Sequence, residues 1–418
     1  MSPNDFFVGL TPACKVCIIG ALDRRCSLMI DIAKPRRALT DEPLTTMESS
    51  ASASVKLTIV IVGLTITSSW GNGHASAYRS LVKGLVQRGH RVIFLECENP
   101  RYSEAHDLAQ PPFFDLAFYR DVDGLRRDWT RTVTEADLVI IGSFVAEGVT
   151  VAQWAMDAAV GLVAFYDLDT PVTLAKLDRG DTWYLQPDLI PRYDIYLSFS
   201  AGPILDRLEH EFRSPMARCL YCTADADLYY PEAIEPTIDL GFLGSYSPDR
   251  QSALERMLME PARRWQDGRF LVAGTHFPDD TCWPHNVRHV KHVPPSDHRG
   301  FYAAQRFTLN VTRPDMIMAG WSPSVRVFEA AACGIPIVSD RWTGVDQLFE
   351  PGREILVLDT TQEVLECLAV TPETERRAIG DAARARFLRQ HTARHRAMEL
   401  ERYVAEARDA KSCRQGVR

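Results

Sequence analysis

Short apolar runs rich in β-branched residues alternate with helical segments along most of this chain, and this alternation restricts the fold more than any other feature. The runs LTIVIVGL (57–64) and RVIFLE (91–96) flank residues 74–88, whose apolar side chains recur at helical spacing. Apolar runs without polar alternation are typical of parallel strands that are covered on both faces. The sequence therefore predicts an α/β fold built on doubly wound parallel sheets.

The alternation falls into two series, which meet near residues 220–231. Further strands are expected at 137–142, 161–166 and 193–198 in the first series, and at 239–244, 270–274, 287–293, 307–311 and 335–339 in the second. Helices of the second series are expected at 249–264, 301–306, 359–370 and 372–406. We expect two Rossmann-like domains (56–222 and 223–385) that face a central cleft, followed by a helical tail at 386–418.

Residues 1–55 differ in character from the rest of the chain, because they carry a Ser/Ala run and no periodic apolar face. We expect them to be a disordered extension or to lie upstream of the true start, for which Met47 is the candidate. Cys14 and Cys17 form a CxxC motif, but no second pair lies at zinc spacing. The ten cysteines are interpreted as reduced thiols of a cytoplasmic protein.

Composition excludes several classes of protein. The chain has 418 residues, enough for two α/β domains, and its 46% hydrophobic and 24% charged content is ordinary for a globular protein. A net charge of −8 argues against a general nucleic-acid binder. The longest apolar run, 57–66, is about half the length of a membrane span. We therefore expect neither a nucleic-acid partner nor a transmembrane segment.

The stretch GWSPSVRVFEAAACG (320–334) carries the strongest local signal for function. Ser322 is predicted to cap a helix that ends at Gly334, which puts Ser322, Arg326 and Glu329 on one face at i, i+4 and i+7. A helix N-terminus and a guanidinium suit a diphosphate, and a carboxylate further along suits both hydroxyls of a ribose. The alternative is the solvated edge of an amphipathic helix; the buried strands predicted on both sides favour a ligand site.

Five stretches of the chain carry a resemblance to known proteins: YDLDTPVTLAKL (166–177), LYCTADADLYYP (220–231), FLGSYSPDRQ (242–251), FTLNVTRPDM (307–316) and FEAAACGIPIVSD (328–340). In these stretches the chain resembles the GT-B glycosyltransferases and, more narrowly, the CgeB-like members of that fold. The resemblance implies a hexosyltransferase-type enzyme in which Glu329 binds the donor ribose. Trp321 stands where the family signature has an earlier, sugar-binding glutamate, so sugar recognition is not implied. Arg326, with Arg250 or Arg313, is expected to replace the usual phosphate-binding pair.

The candidate residues divide into three groups. His74 and Arg326 are predicted to be catalytic, His74 by orienting or deprotonating the acceptor hydroxyl, although it could simply cap its helix. Asp167 and Asp169 are candidates on the acceptor side, or else a turn and a helix cap. The donor-binding candidates are Ser245, Arg250, His292, Asn310, Arg313, Ser322, Ser324 and Glu329.

Arginines and helix N–H groups can supply the positive charge that a leaving diphosphate needs, so no metal and no cofactor are predicted. The expected partners are a nucleotide-diphosphate sugar and a saccharide or other small-molecule or polymer acceptor.

Two alternative functions stay open. One is an NAD-dependent oxidoreductase, because GNGHAS (71–76) approximates a dinucleotide-binding fingerprint and Glu96 ends the next strand. Against it, six residues separate the first strand from Gly71, whereas the fingerprint directly follows its strand. The other is a catalytically silent nucleotide-sugar-binding protein.

Overall fold

The computed structural model describes residues 56–70, 73–99, 102, 106–108 and 113–416, with side chains as far as 414. The predicted extension, including Met47 and the CxxC motif of Cys14 and Cys17, lies outside the described residues. Within the described part of the chain, none of the helices is both long and apolar enough to cross a membrane.

The first sheet has seven parallel strands in the order β3-β2-β1-β4-β5-β6-β7. Its strands are β1 (Thr58–Gly63), β2 (Arg91–Cys97), β3 (Asp115–Tyr119), β4 (Leu138–Gly142), β5 (Leu162–Asp167), β6 (Ile195–Ser198) and β7 (Ala217–Cys219). The helices described between them are α1 (His74–Gln87), α2 (Val122–Glu135), α3 (Gly148–Ala158), α4 (Thr170–Asp178) and α5 (Pro203–His210). The strand order reverses between β1 and β4, and crevices at such reversals bind ligands.

The second sheet repeats this topology with six parallel strands in the order β10-β9-β8-β11-β12-β13. Its strands are β8 (Ile238–Leu243), β9 (Phe270–Ala273), β10 (Val287–Val290), β11 (Gln305–Asn310), β12 (Ile337–Ser339) and β13 (Leu356–Val357). Its α-helices are α6 (Gln251–Leu254), α7 (Glu260–Arg264), α8 (Pro295–Ala303), α9 (Pro314–Ala319), α10 (Val325–Ala332), α11 (Val345–Leu348), α12 (Thr361–Val370), α13 (Glu373–Gln390) and α14 (Ala393–Gly416). A π-helical turn (Glu255–Met259) connects α6 to α7. The prediction of two doubly wound parallel sheets is therefore confirmed.

Both faces of each sheet are covered, which explains the uninterrupted apolar runs in the sequence. In β1, Ile59 and Ile61 belong to one buried cluster, while Val60 and Val62 belong to another on the opposite face. Alternate residues of a strand point to opposite faces, so both sets must be apolar when both faces are buried.

The last helix, α14, packs against the first domain rather than the second. Arg88 at the end of α1 donates from Nη2 to Glu401 Oε2 at 2.7 Å, and Arg408 donates to Asp137 Oδ1 at 2.7 Å. The Lys411 ammonium donates to the Gly161 carbonyl at 2.9 Å. The predicted helical tail thus closes the chain by returning to the domain with which it started.

Several elements differ from the sequence-based expectation. Strands β3, β7 and β13 and helix α9 were not predicted, because β3 is a half-exposed edge strand and the others span six residues or fewer. The helix expected at 301–306 begins earlier, at Pro295, where proline fits a first turn, and Gln305 already belongs to β11. The strand expected at 287–293 stops at Val290, before Pro294 and Pro295, the second of which is the first residue of α8.

Candidate functional site

A cleft with a volume of about 540 Å³ lies between the carboxyl ends of the two sheets. Residues that directly follow strands line it from both sides, among them Phe144 after β4, Leu168 after β5, Gly244 after β8 and Val311 after β11. Of the candidates named from the sequence, those that line the cleft are His74, Asp169, Ser245, Arg250, His292, Arg313, Ser324, Arg326 and Glu329. Asp167, Asn310 and Ser322 lie outside its lining.

Helix α10 begins two residues later than predicted. Ser324, not Ser322, is its N-cap and accepts a hydrogen bond from the Arg326 N–H at 3.4 Å. The Ser322 hydroxyl lies 2.8 Å from the Ser200 hydroxyl of the first domain, and Trp321 accepts from the Ala201 N–H at 3.1 Å. These contacts hold Ser322 in the segment before the helix. The prediction that Ser322, Arg326 and Glu329 share one face of the helix is therefore wrong. Arg326 and Glu329 alone share the helix.

Trp321 has a structural role at the position where the family signature has its earlier glutamate. Its backbone is left-handed, with φ of 44°, and its ring lies against two glycines, one from each domain. A Cβ on Gly202 or on Gly344 would lie 2.3 Å from the indole, closer than any side chain can approach. Trp321 therefore joins the domains beside the cleft and does not line it.

Three arginines gather at the second-domain wall of the cleft. Arg326, which is 8% exposed, donates to the Leu243 carbonyl and to Asn310 Oδ1, the latter at 3.2 Å. Gly244 permits this approach, because a Cβ there would lie 2.6 Å from the guanidinium. Arg250 donates to the Ser245 carbonyl, and Arg313 forms an ion pair with Asp249 at 3.0 Å.

Ion pairs balance only part of the charge of these arginines, although Glu329 and Asp340 also act on Arg326 from a greater distance. Among the described residues, Asp249 is the only carboxylate within ion-pairing distance of any of the three. Burial first, and then the positive charges of Arg326 and Arg313, lower the pKa of Arg250 to about 9. Burial likewise lowers the pKa of Arg326. A bound dianion would reverse both effects, so the cluster is suited to holding one.

Glu329 lies one turn further along α10 and is only 2% exposed. Its carboxylate accepts from the Tyr302 hydroxyl at 2.8 Å and from the Tyr229 hydroxyl at 3.0 Å, and His298 lies 3.6 Å away. Burial alone would raise its pKa, but His298 and the two phenols outweigh burial and hold the pKa below its ordinary value. Glu329 is thus an ionised acceptor at the cleft wall, and each oxygen keeps a further lone pair for a ligand hydroxyl.

The remaining donor-side candidates, His292, Ser245 and Asn310, contact neighbouring side chains of the protein. The His292 ring packs at a tilt of 51° against Trp70 of the first domain, with 4.6 Å between centroids, and burial chiefly lowers the pKa of His292. The Ser245 hydroxyl lies 3.0 Å from that of Thr275, and both residues line the cleft. Asn310 orients Arg326 and also bonds to Ser339.

On the first-domain side, His74 and Asp169 form a pair at the cleft surface. His74 is the first residue of α1, and its Nε2 lies 3.0 Å from Asp169 Oδ2. Asp167 faces the opposite way: it is fully buried and accepts from the Tyr196 hydroxyl at 2.6 Å and the Thr173 hydroxyl at 2.8 Å. Burial raises the pKa of Asp167 to about 6. The two carboxylates of this Asp-x-Asp motif therefore point to different places and do not form a clamp.

The alternative dinucleotide site depends on Glu96. Both of its carboxylate oxygens face the loop after β1, where the hydroxyls of Thr65 and Thr67 donate at 2.7 and 2.6 Å. The Ile66 N–H donates at 2.7 Å, and Glu96 is 1% exposed. Its carboxylate holds this loop in place and is not open to a ribose. Gly71 lies outside the described residues.

Sequence reasoning missed the partners that orient the site. Tyr302 and His298 gave no local signal, because they reach Glu329 from α8 across the fold. Tyr229 lies in the stretch 220–231, which was noted only as a linker and a point of resemblance. Phe144 gave no signal either, since it simply follows an apolar strand. In the described part of the chain, no group of three or more His, Cys, Asp or Glu side chains could hold a metal ion.

Comparison with known proteins agrees with this architecture. A family model described as glycosyl transferase-like matches residues 250–402. Sucrose-phosphate synthase from Thermosynechococcus elongatus superposes with a TM-score of 0.62 at 14% identity, covering 84% of this chain and 100% of that one. HepE from Anabaena, solved with UDP and glucose, gives 0.61 at 13% identity, covering 84% and 99%. An alpha-glucosyltransferase solved with UDP-glucose and abasic DNA gives 0.64 at 14%, covering 84% and 100%.

No curated protein matches the sequence. At identities this low, the superpositions establish the fold alone, which is the GT-B arrangement of two parallel-sheet α/β domains.

Proposed function

We propose that this chain is a glycosyltransferase of the hexosyltransferase type, which moves a sugar from a nucleoside-diphosphate sugar to an acceptor hydroxyl without a metal ion. The family model over residues 250–402 supports sugar transfer. The solved structures with UDP or UDP-glucose share the fold and so support a nucleotide-sugar donor. Membership of the narrower CgeB-like family and a cytoplasmic location are parts of the same proposal.

The arginine cluster is the observation that carries this proposal. Arg250, Arg313 and Arg326 line one wall of the cleft, and Asp249 is the one carboxylate that forms an ion pair with them among the residues that the structure describes. Burying positive charge without a counterion costs free energy, and a protein retains such a site when a ligand supplies the negative charge. A diphosphate carries that charge. The N-terminus of α10, capped by Ser324, opens onto the same wall and adds N–H donors.

The chemistry follows from this placement. The bond between the anomeric carbon and the diphosphate oxygen breaks, and negative charge grows on the diphosphate as it leaves. The three guanidiniums are fixed before reaction, so they stabilise that charge without reorganising. The acceptor oxygen forms the new bond to the anomeric carbon, and its proton passes to His74 or to the departing phosphate. Asp169 holds the imidazole and stabilises its protonated form.

Glu329 completes the donor site by accepting the ribose hydroxyls. Its low pKa keeps it ionised, and Tyr229 and Tyr302 fix its orientation. The His74–Asp169 pair favours an enzyme over a silent binding protein, because binding a donor would not require it. The position of Glu96 argues against the oxidoreductase alternative.

The proposal is tested by following UDP-glucose binding and turnover, with and without saccharide acceptors. Arg250→Met should lose most UDP affinity, because it removes one of the three charges, whereas Arg288→Met should match the native chain. Arg288 is an exposed arginine of the same domain that lies outside the cleft, which makes it a matched control. Absence of UDP binding by the native chain would overturn the donor site.

Metal independence needs its own measurement. Activity should survive EDTA, because the arginines supply the charge that a metal would otherwise provide. Complete loss on chelation, with recovery on adding magnesium or manganese, would refute this part of the proposal.

A further inference from the structure

Three aromatic side chains form a ledge that leads from the cleft to the surface of the first domain. Phe144 stacks on Tyr184 with 4.7 Å between ring centroids, and Trp183 meets Phe144 at 5.9 Å and Tyr184 at 4.8 Å. The Lys176 ammonium lies over all three rings, closest to Phe144 at 4.8 Å. These contacts fix the rings, and we call Phe144, Trp183 and Tyr184 the aromatic ledge. Tyr184 is buried at 3% exposed and supports Phe144 and Trp183, which carry the accessible faces.

The inner end of the aromatic ledge touches the proposed catalytic residue. Phe144 lines the cleft, and its ring meets the His74 ring edge to face at 5.6 Å. The outer end is open, since Trp183 is 48% exposed. A ligand whose hydroxyl reaches His74 would therefore extend over Trp183.

The backbone at Phe144, whose ring lies at the inner end of the aromatic ledge, is strained. Phe144 has φ of 63°, a left-handed conformation that costs free energy for a bulky residue. It occurs at the first turn after β4, where a residue with ordinary φ would give its side chain another direction. Such strain persists where the surrounding structure over-determines it, and it concentrates at ligand-binding positions.

The charge beside the ledge indicates which ligands it accepts. Burial chiefly, and then the negative charges of Asp167, Asp169 and Asp181, raise the pKa of the Tyr184 phenol. Lys176, the cation that lies over these rings, is also 4.0 Å from Asp181, so its charge is already engaged by the protein. Carboxylates accept hydroxyl donors but repel a phosphate backbone, which needs a cationic groove. The surroundings therefore fit a neutral polyhydroxy ligand and disfavour a nucleic acid.

We propose that the aromatic ledge is the docking surface for a neutral oligosaccharide acceptor, with its reacting sugar at His74 and the next sugar packed on Trp183. The apolar C–H face of a pyranose complements the negative face of an aromatic ring, and its hydroxyls can donate to Asp169. This inference rests on the proposed function for the identity of the reaction, but binding of the saccharide can be measured separately.

The test is a calorimetric titration of the full chain, in the presence of UDP, with maltose, cellobiose, methyl β-glucoside and a single-stranded DNA oligonucleotide. At least one disaccharide should bind more tightly than the methyl glycoside, because only the disaccharide reaches Trp183. Trp183→Ala should weaken disaccharide binding by about tenfold, as loss of a stacking contact does. Trp183→Phe should restore most of the affinity, because it keeps an aromatic face.

Phe118→Ala is the matched control, since Phe118 is a 40% exposed aromatic of the same domain that lies outside the cleft lining. It should bind the disaccharide as the native chain does. Equal disaccharide affinity in Trp183→Ala, no binding of any of the neutral saccharides, or tighter binding of DNA would each overturn the inference. UDP affinity is read in the same experiments, so failure of the donor site is seen separately from failure of the ledge.

Discussion

Arg326 and Glu329 lie one turn apart on α10, and their environments act differently on the two charges. Burial lowers the pKa of Arg326, so its charge is held at a cost, while hydrogen bonds and His298 keep Glu329 ionised despite burial. Glu329 is already stabilised in the free protein, whereas Arg326 gains most when an anion arrives. This difference predicts different kinetic effects of replacing each residue.

Arg326→Met should mainly lower kcat, by about 100-fold or more, because it removes a fixed charge that acts on the leaving diphosphate. Methionine keeps much of the unbranched stem but loses the guanidinium, whose carbon lies 4.9 Å from the centre of the Phe242 ring. Steady-state kinetics with UDP-glucose measure the effect, after a melting curve has shown that the variant is folded. Normal turnover in a folded variant would mean that Arg326 is a structural contact to Leu243 and Asn310.

Glu329→Gln should mainly raise the donor KM, by about tenfold, because the ribose is bound equally in the ground and transition states. Glutamine keeps the size of the side chain but loses the charge that strengthens its hydrogen bonds, an effect on the order of 1–3 kcal/mol. Donor titrations at saturating acceptor separate KM from kcat. A fall in kcat at unchanged KM would contradict the ribose assignment.

At the scale of elements, α10 is set in place by both of its ends. Ser324 caps its start, and Gly334 follows its end with φ of 70°, as a helix-terminating glycine does. Phe328, on its inner face, packs against His391 at 5.2 Å between ring centroids. The connection between α13 and α14, where His391 lies, thus supports the helix that forms the donor site.

His391 makes the stability of the folded protein sensitive to acid. Burial, and then the charge of Arg396, lower the pKa of His391 to about 3, far below its ordinary value near 6.5. Between these values the unfolded chain binds a proton that the folded chain does not, so stability falls as the pH is lowered through this window. From pH 7.5 to 5 this group should account for a loss of about 2 kcal/mol.

Urea unfolding of the native chain and of His391→Gln at both pH values measures that loss. The variant, whose side chain stays neutral throughout, should show a smaller decrease than the native chain. An equal decrease in both proteins would place the acid-sensitive group elsewhere. Arg396, Arg386 and His395 also face His391 and are present in both proteins, so the comparison isolates the imidazole of His391.

At the scale of the whole molecule, the described residues join the two domains at several places besides the Ser322–Ser200 contact. Helix α14 packs on α1 and on the edge of the first sheet, Trp321 wedges between a glycine of each domain, and the Trp70 and His292 rings meet across the cleft. These contacts come from residues far apart in the sequence. They fix the distance between the arginine cluster and the His74–Asp169 pair.

The segment before residue 56 should contribute little to this assembly, because its composition offers no periodic apolar face to bury. A chain that begins at Met47 should therefore melt at the same temperature as the full chain and bind UDP equally well. Differential scanning calorimetry of both forms measures this. A decrease of several degrees in the shorter chain would show that the segment packs on the body.

The sequence by itself determined the α/β class, both parallel sheets and the position of most central strands. Local pattern is sufficient there, because strands buried on both faces must be continuously apolar and crossover helices must be amphipathic. It also placed Arg326 and Glu329 on one helix, since spacing along a helix is a local property.

Only the tertiary structure decided how those residues are surrounded. Ser322 follows a cap-like pattern, yet contacts with Ser200 hold it outside the helix, which no local signal encodes. Asp167 and Asp169 look equivalent in sequence, but one lies beneath Tyr196 and the other at His74. The partners of Glu329 and the only partly balanced charge of three distant arginines likewise depend on which segments meet. Hydrogen bonds and electrostatic fields act through space, so these features exist only once the chain is folded.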